Sequence, residues 1–293
     1  MLLLNTIVLA VTFFVLASAE FSPDFQDFVR TKYGRNFLKS IERIDMGSYE
    51  LGSFGGKASP DEVIRRRPVL FVHGTMLRAG IFKQHRQLFM DRGYQKGELY
   101  ATTFGDGGRT ALLNKPMYCE DVKIVRRTIE AIINYANSTI DVIGYSMGCA
   151  ITRKAILGGR CVDTGEQIGI PLTNYVHTYI AVAGVAYGFE GCSTMYGSNF
   201  ACNLVNGMHC QSEYLKELNS QPARFEGRHT FSIYSKEDGL VGQNCCGHAC
   251  STLRFAEQNF ARNSNSHFSI VHQTKELMYD LIIGNIHQLQ ETL

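Results

Sequence analysis

The pentapeptide Gly144-Tyr145-Ser146-Met147-Gly148 constrains this chain more than any other stretch, because G-x-S-x-G between a strand and a helix demands one sharp turn. Before it, Thr139-Ile140-Asp141-Val142-Ile143 is short, apolar and β-branched, and predicts a buried strand. After it, residues 149–157 have helical spacing and stop at Gly158-Gly159, a glycine C-cap. In such an elbow the serine takes a strained backbone conformation, and the small glycines let strand and helix approach closely enough to lift its hydroxyl into a cleft. Alone, the pentapeptide matches many Gly-Ser turns by chance. The flanking strand and helix are what make Ser146 a candidate nucleophile.

The rest of the chain repeats the same alternation. Residues 68–72 form a compact apolar run that leads into His73-Gly74-Thr75, residues 81–92 read as a helix capped by Gly93, and residues 99–104 as the next strand. A long helix over about 120–135 carries Val122, Val125, Ile129, Ile132 and Ile133 on one stripe, which is core. Residues 175–182 and 231–234 are further strands, and 274–286 a closing helix. Strands alternating with helices at this pitch predict an α/β fold, a mostly parallel central sheet with helices on both faces. Ligands of such sheets gather at the carboxyl ends of the strands, where Gly74, Ser146, Gly184 and the residues after Tyr234 fall. With 293 residues, 45% of them hydrophobic, the chain can bury a sizeable core. A formal charge of +2 gives no reason to expect a nucleic-acid partner, and Arg65-Arg66-Arg67 reads as a solvated strand entry.

Residues 1–19 contain no charged side chain, have an apolar middle from Ile7 to Leu16 and end in Ala17-Ser18-Ala19, the small-x-small pattern of a signal-peptidase site, although a basic start is missing apart from the terminal amine. No later segment is long enough to span a membrane, so the expectation is a secreted, extracellular chain without a stable membrane anchor, beginning near Glu20. Residues 20–67 read as an N-terminal extension packed on a domain of residues 68–293, with a helix over 24–33 and a Gly-rich loop or hairpin over 47–59. Nine cysteines agree with export, and the odd one is assigned to Cys149, among apolar residues in the first turn of the elbow helix. Cys119, Cys161, Cys192, Cys202, Cys210, Cys245, Cys246 and Cys250 then allow four disulfides of unspecified pairing, with adjacent Cys245 and Cys246 reaching different partners. A zinc set of Cys245, Cys246, His248 and Cys250 has no usual ligand spacing, so bridges are preferred. Asn137-Ser138-Thr139 is an N-glycosylation sequon.

A serine hydroxyl is a poor nucleophile until a base takes its proton, and the base needs a carboxylate to hold its tautomer. In this kind of fold the chain order is Ser, acid, His. Asp238 is the preferred acid, because Ser235-Lys236-Glu237-Asp238-Gly239 follows a strand directly; Glu237 is the alternative. Of the later histidines, His267 follows the polar loop Asn263-Ser264-Asn265-Ser266 and is preferred to His272, while His73 orients its own turn. Acyl transfer also needs donors for a developing oxyanion, and the backbone N–H groups of Met147 and Thr75 are the candidates.

His73-Gly74-Thr75 after a strand, the Ser146 pentapeptide, Ser232-Ile233-Tyr234-Ser235 leading to Asp238, and a late histidine together resemble the class 2 lipase family, the small α/β-hydrolase lipases of bacteria and the lipase-related proteins of nematodes. The resemblance covers roughly residues 68–286 and implies a carboxylic ester hydrolase of triacylglycerol-lipase type, with no metal or organic cofactor and a lipid or ester substrate, possible at a lipid–water interface. Bacterial minimal members lack the N-terminal extension and the many cysteines, and have a shorter stretch where this chain carries a Cys-rich insertion over about 186–228. There Cys192, Cys202 and Cys210 could staple a lid over the site, with Tyr187, Phe189, Met195, Tyr196 and Phe200 lining an acyl surface; a structural loop whose aromatics simply pack is the other reading. The same triad would also serve a short-chain esterase or an acyltransferase, and a secreted lipid-binding protein without turnover is the competing class.

Overall fold

The computed structural model describes residues 21–47, 51–195 and 199–285, so the segment read as a signal peptide, together with Tyr196, lies outside the described residues. In chain order the elements are α1 (Pro23–Tyr33), α2 (Arg35–Glu42), β1 (Ser53–Phe54), β2 (Val69–Val72), α3 (Lys83–Asp91), β3 (Leu99–Thr102), α4 (Cys119–Ala136), β4 (Ile140–Tyr145), α5 (Met147–Leu157), β5 (Val176–Val182), α6 (Glu213–Asn219), β6 (His229–Ser235), β7 (Gln258–Arg262), α7 (His267–Gln273) and α8 (Lys275–Ile283). Among the described residues the strands form one seven-stranded sheet in the order β1-β3-β2-β4-β5-β6-β7. Every pairing is parallel except β1 with β3.

Both faces of this sheet are covered, because successive side chains of a strand point to opposite sides. Leu70, Val72, Val142, Tyr179 and Ala181 enter one core with α1, α2, α4, α5 and α6, represented by Phe25, Ile41, Ile129, Ile151 and Leu215. Val69, Phe71, Ile143, Ile180, Phe231 and Ile233 enter the other with α3, α7 and α8, represented by Phe89, Ile270 and Met278. Fully burying a side chain of this size contributes about 1.5–3 kcal/mol. The parallel centre is therefore held by two hydrophobic layers, and β4, in the middle, is buried along its whole length.

Three elements depart from the sequence expectations. The segment over 47–59, read as a loop or hairpin, supplies β1, an antiparallel edge strand. β7 was not legible, because an edge strand needs little apolar surface and Gln258-Asn259-Phe260-Ala261-Arg262 buries only Phe260. The closing helix begins at Lys275, since Thr274 at φ −106°, ψ 15° separates it from α7.

The insertion over 186–228 is fastened to the elbow helix by ion pairs to two buried cations. Arg153 Nε lies 2.9 Å from Glu226 Oε1, both nearly inaccessible. Lys154, fully buried, donates to both Glu217 oxygens at 2.6 and 2.7 Å and to the carbonyls of Gly158 and Arg160. Removing one member of the Arg153–Glu226 pair leaves an uncompensated buried charge, at a cost of about 3–5 kcal/mol. Four disulfides add covalent ties: Cys119–Cys161, Cys192–Cys202, Cys210–Cys246 and Cys245–Cys250. Cys245 and Cys246 do take different partners, and Cys245, Cys246 and Cys250 are not available as zinc thiolates.

Candidate active site

β4 ends at Tyr145 and α5 begins at Met147, which leaves Ser146 alone at the turn with φ 55° and ψ −128°. A non-glycine residue in that region is strained, and the surroundings hold it there. Ser146 N–H donates to Val182 O at 2.9 Å, and Ser146 O accepts from Cys149 N–H at 3.0 Å and Val185 N–H at 3.2 Å. The flanking glycines are demanded by close approach. A Cβ on Gly148 would stand 2.2 Å from His73 O, and one on Gly144 3.0 Å from Cys149 Cα.

The structure brings Ser146, His267 and Asp238 into one hydrogen-bonded chain. His267 Nε2 is 3.1 Å from Ser146 Oγ, and His267 Nδ1 is 2.8 Å from Asp238 Oδ2. A tautomer with the proton on Nδ1 satisfies both contacts: Nδ1–H donates to the carboxylate and Nε2 accepts from the serine hydroxyl. Asp238 Oδ1 accepts from the N–H groups of Leu240 and Val241, each at 2.9 Å, so the carboxylate is fixed at both oxygens. All three side chains are buried, with Ser146 8% accessible. Asp238 follows β6, and His267 opens α7, whose N-cap Ser266 accepts from Ser269 N–H. The two alternatives lie elsewhere: Glu237 is exposed, and His272 stands beside His85, ring centroids 5.7 Å apart.

Tyr145, which the sequence reading left without a role, grips the histidine. Its hydroxyl donates to the His267 carbonyl at 2.8 Å, and the two rings stack at 5.3 Å, 28° between planes. Burial raises the Tyr145 pKa, so the phenol stays a donor. A tyrosine at the second position of the elbow was visible in the sequence, but nothing local indicated which backbone group it would meet.

The turn after β2 faces the serine. A Cβ on Gly74 would stand 2.6 Å from Ser146 Cβ, so only glycine fits against the nucleophile. His73 is buried and stacks on Phe104 at 4.2 Å; its Nε2 accepts from Phe104 N–H at 3.1 Å and its Nδ1–H donates to Gly74 O at 2.7 Å. Burial pushes its pKa down to about 4, which keeps the ring neutral. Thr75 Oγ1 donates to Met147 Sδ at 3.0 Å, so the two candidate oxyanion residues touch. Among the described residues neither Thr75 N–H nor Met147 N–H has a protein acceptor. Met76, which follows Thr75 at φ 61°, and Phe268, which follows His267, are exposed, 55% and 64%.

Cys149 is the free cysteine among the described residues, fully buried behind the elbow with Sγ 3.0 Å from Gly144 O. Burial pushes its thiol up to about 12, which keeps it protonated and inert. Asn137 is exposed in a left-handed conformation at the C-cap of α4. In the insertion, Tyr187, Phe189 and Met195 pack against the core while Phe200 is exposed.

The model of the family described as Lipase (class 2) matches residues 66–280. No curated protein matches the chain. Among solved structures, the chain is similar to Bacillus licheniformis lipase BlEst2 in its mature form, with 15% identity and a TM-score of 0.54 over 78% of this chain and 96% of that one. The propeptide form of the same lipase gives 15% identity and a TM-score of 0.54, and there the chain spans 52% of that chain's length. At that identity the likeness shows the fold, an α/β hydrolase.

Proposed function

Because the chain belongs to the class 2 lipase family, and is thereby a carboxylic ester hydrolase, we propose that it is a secreted lipase that cleaves esters of triacylglycerol type through an acyl-enzyme on Ser146. The observation that carries this reading is the continuous relay from Ser146 Oγ through His267 to Asp238, at 3.1 and 2.8 Å.

In this mechanism His267 Nε2 takes the hydroxyl proton as Ser146 Oγ attacks the ester carbonyl, and Asp238 stabilises the imidazolium that forms. The amides of Thr75 and Met147 hold the oxyanion, the latter aided by the positive end of α5. The imidazolium then protonates the departing alcohol oxygen as the C–O bond breaks. Water, deprotonated by His267, attacks the acyl-enzyme; the fatty acid leaves, and Ser146 regains its proton. No step calls for a metal or an organic cofactor. Residues 1–19 act as the signal peptide and residues 20–67 as an extension on the catalytic domain. The four disulfides support export, and exposed Asn137 is the glycan acceptor.

The test is turnover of p-nitrophenyl esters of short and long acyl chains, beside Ser146→Ala and an active-site organophosphonate. The expected outcome is labelling of the parent but not of Ser146→Ala, a loss of kcat of about 10³-fold or more in that variant, and turnover that rises as long-chain substrate aggregates. Turnover of short esters alone would make it an esterase. A folded protein that neither labels nor turns over would leave a lipid-binding role.

A further inference from the structure

At the end of the sheet opposite Ser146, β5 and β6 start side by side, and each brings a histidine: His177, second in β5, and His229, first in β6. Their ring centroids are 5.0 Å apart with 51° between the planes. Each ring is held through Nδ1, and from opposite sides. His177 Nδ1 lies 3.0 Å from Thr178 Oγ1 and 3.5 Å from Asp141 Oδ1, on the side of β4. His229 Nδ1 lies 3.0 Å from Glu257 Oε1, which immediately precedes β7 on the other side. The two nitrogens of an imidazole sit on roughly opposite edges of the ring, so each Nε2 lies on the edge away from the carboxylate that its Nδ1 faces. Among the described residues neither Nε2 has a protein partner, and the side chains are 26% and 35% exposed, open to an ion from solvent.

The separation of the two rings is the one that a pair of metal-binding histidines takes. With a metal about 2.0–2.1 Å from each Nε2 and a near-tetrahedral angle between them, the two ring centres fall about 5 Å apart. A carboxylate on the remote nitrogen is the usual support of a ligating histidine, because it fixes the tautomer and raises the basicity of the other nitrogen. Asp141 and Glu257 are themselves paired with Arg67 at 3.1 Å and Arg224 at 2.7 Å, which keeps them in that supporting place. Two neutral imidazoles without a thiolate select a borderline divalent ion. We propose that His177 and His229 bind one divalent late transition metal, Zn²⁺ being the test ion, through their Nε2 atoms, with water completing the coordination. Bound there, the ion clamps the starts of β5 and β6 and leaves the chemistry at Ser146 untouched.

The experiment is calorimetric titration of the full chain, free of any affinity tag, with Zn²⁺ near neutral pH, together with melting in the presence and absence of the ion. One equivalent should bind saturably and raise Tm, since an ion that binds only the folded chain stabilises it. His177→Gln and His229→Gln should each weaken binding about tenfold or more and remove the rise in Tm, with ester turnover unchanged. Glu257→Gln, which removes only the support, should weaken binding about 10–100-fold. His248→Gln, at an exposed histidine elsewhere, should change nothing. No saturable binding, binding that survives either His177→Gln or His229→Gln, or binding lost in His248→Gln would overturn the proposal.

Discussion

At the scale of the residue, the site depends on groups held in conformations they would not choose alone. Ser146 keeps a positive φ because its N–H and C=O are both bonded and glycines on either side admit the neighbouring backbone. Tyr145 does for His267 what Asp238 does from the other end: it donates to the main chain and lies along the ring. Tyr145→Phe removes that donor and leaves a buried carbonyl unpaired, which should cost about 1–3 kcal/mol of stability. If the tyrosine positions the base, kcat on a soluble ester should fall about tenfold or more with KM little changed. A purely structural tyrosine would lower Tm and leave kcat near the parent value.

At the scale of the element, strands and helices with strong apolar periodicity were legible, and those built at edges were not. β4 and α5 declared themselves through β-branching, a glycine stop and helical spacing, whereas β7 carries one buried apolar side chain and depends on β6 for its hydrogen bonds. α3 and α7 show a different kind of dependence. His85, on α3, is fully buried with Nε2 2.7 Å from Val271 O of α7, and its Nδ1 has no partner among the described residues. Burial pushes its pKa down to about 4, the same direction and cause as for His73. Since both folded values lie below the ordinary 6.5, the unfolded chain binds more protons between them. Their contribution is fully present above about pH 6.5 and is lost as pH falls toward about 4, with a slope of up to about 1.4 kcal/mol per pH unit for each histidine. Melting followed over that range should show Tm falling, and His85→Gln should make the fall shallower.

At the scale of the whole molecule, the turn that holds Gly74, the elbow, the loop after β6 and the start of α7 meet at one end of a parallel sheet, and exposed apolar side chains stand beside that meeting point. Met76 and Phe268 flank the loop residues proposed to hold the oxyanion and the histidine. On the lipase reading they enter the substrate phase, where burying one large apolar side chain contributes about 1.5–3 kcal/mol. Phe268→Ser and Met76→Asn should therefore each lower turnover of aggregated long-chain ester about tenfold while hydrolysis of a soluble short ester stays near the parent rate. Equal losses on both substrates would place these side chains in the chemistry instead of at the interface.

What the sequence determined by itself is local. The strand, turn and helix around Ser146, the alternation that makes an α/β sheet, and the placement of chemistry at the carboxyl ends of the strands all follow from propensities and spacings within a few residues of one another. Asp238 and His267 could be ranked above Glu237 and His272 by loop position, but the contact of His267 with Asp238 spans 29 residues of chain and its contact with Ser146 spans 121. The same holds for Tyr145 on His267, 122 residues away, for the pairing of Cys210 with Cys246, and for His177 beside His229. Only the packed sheet decided these, because a contact between distant residues depends on the register and order of the strands, and those are set by the burial of both faces at once rather than by any single segment.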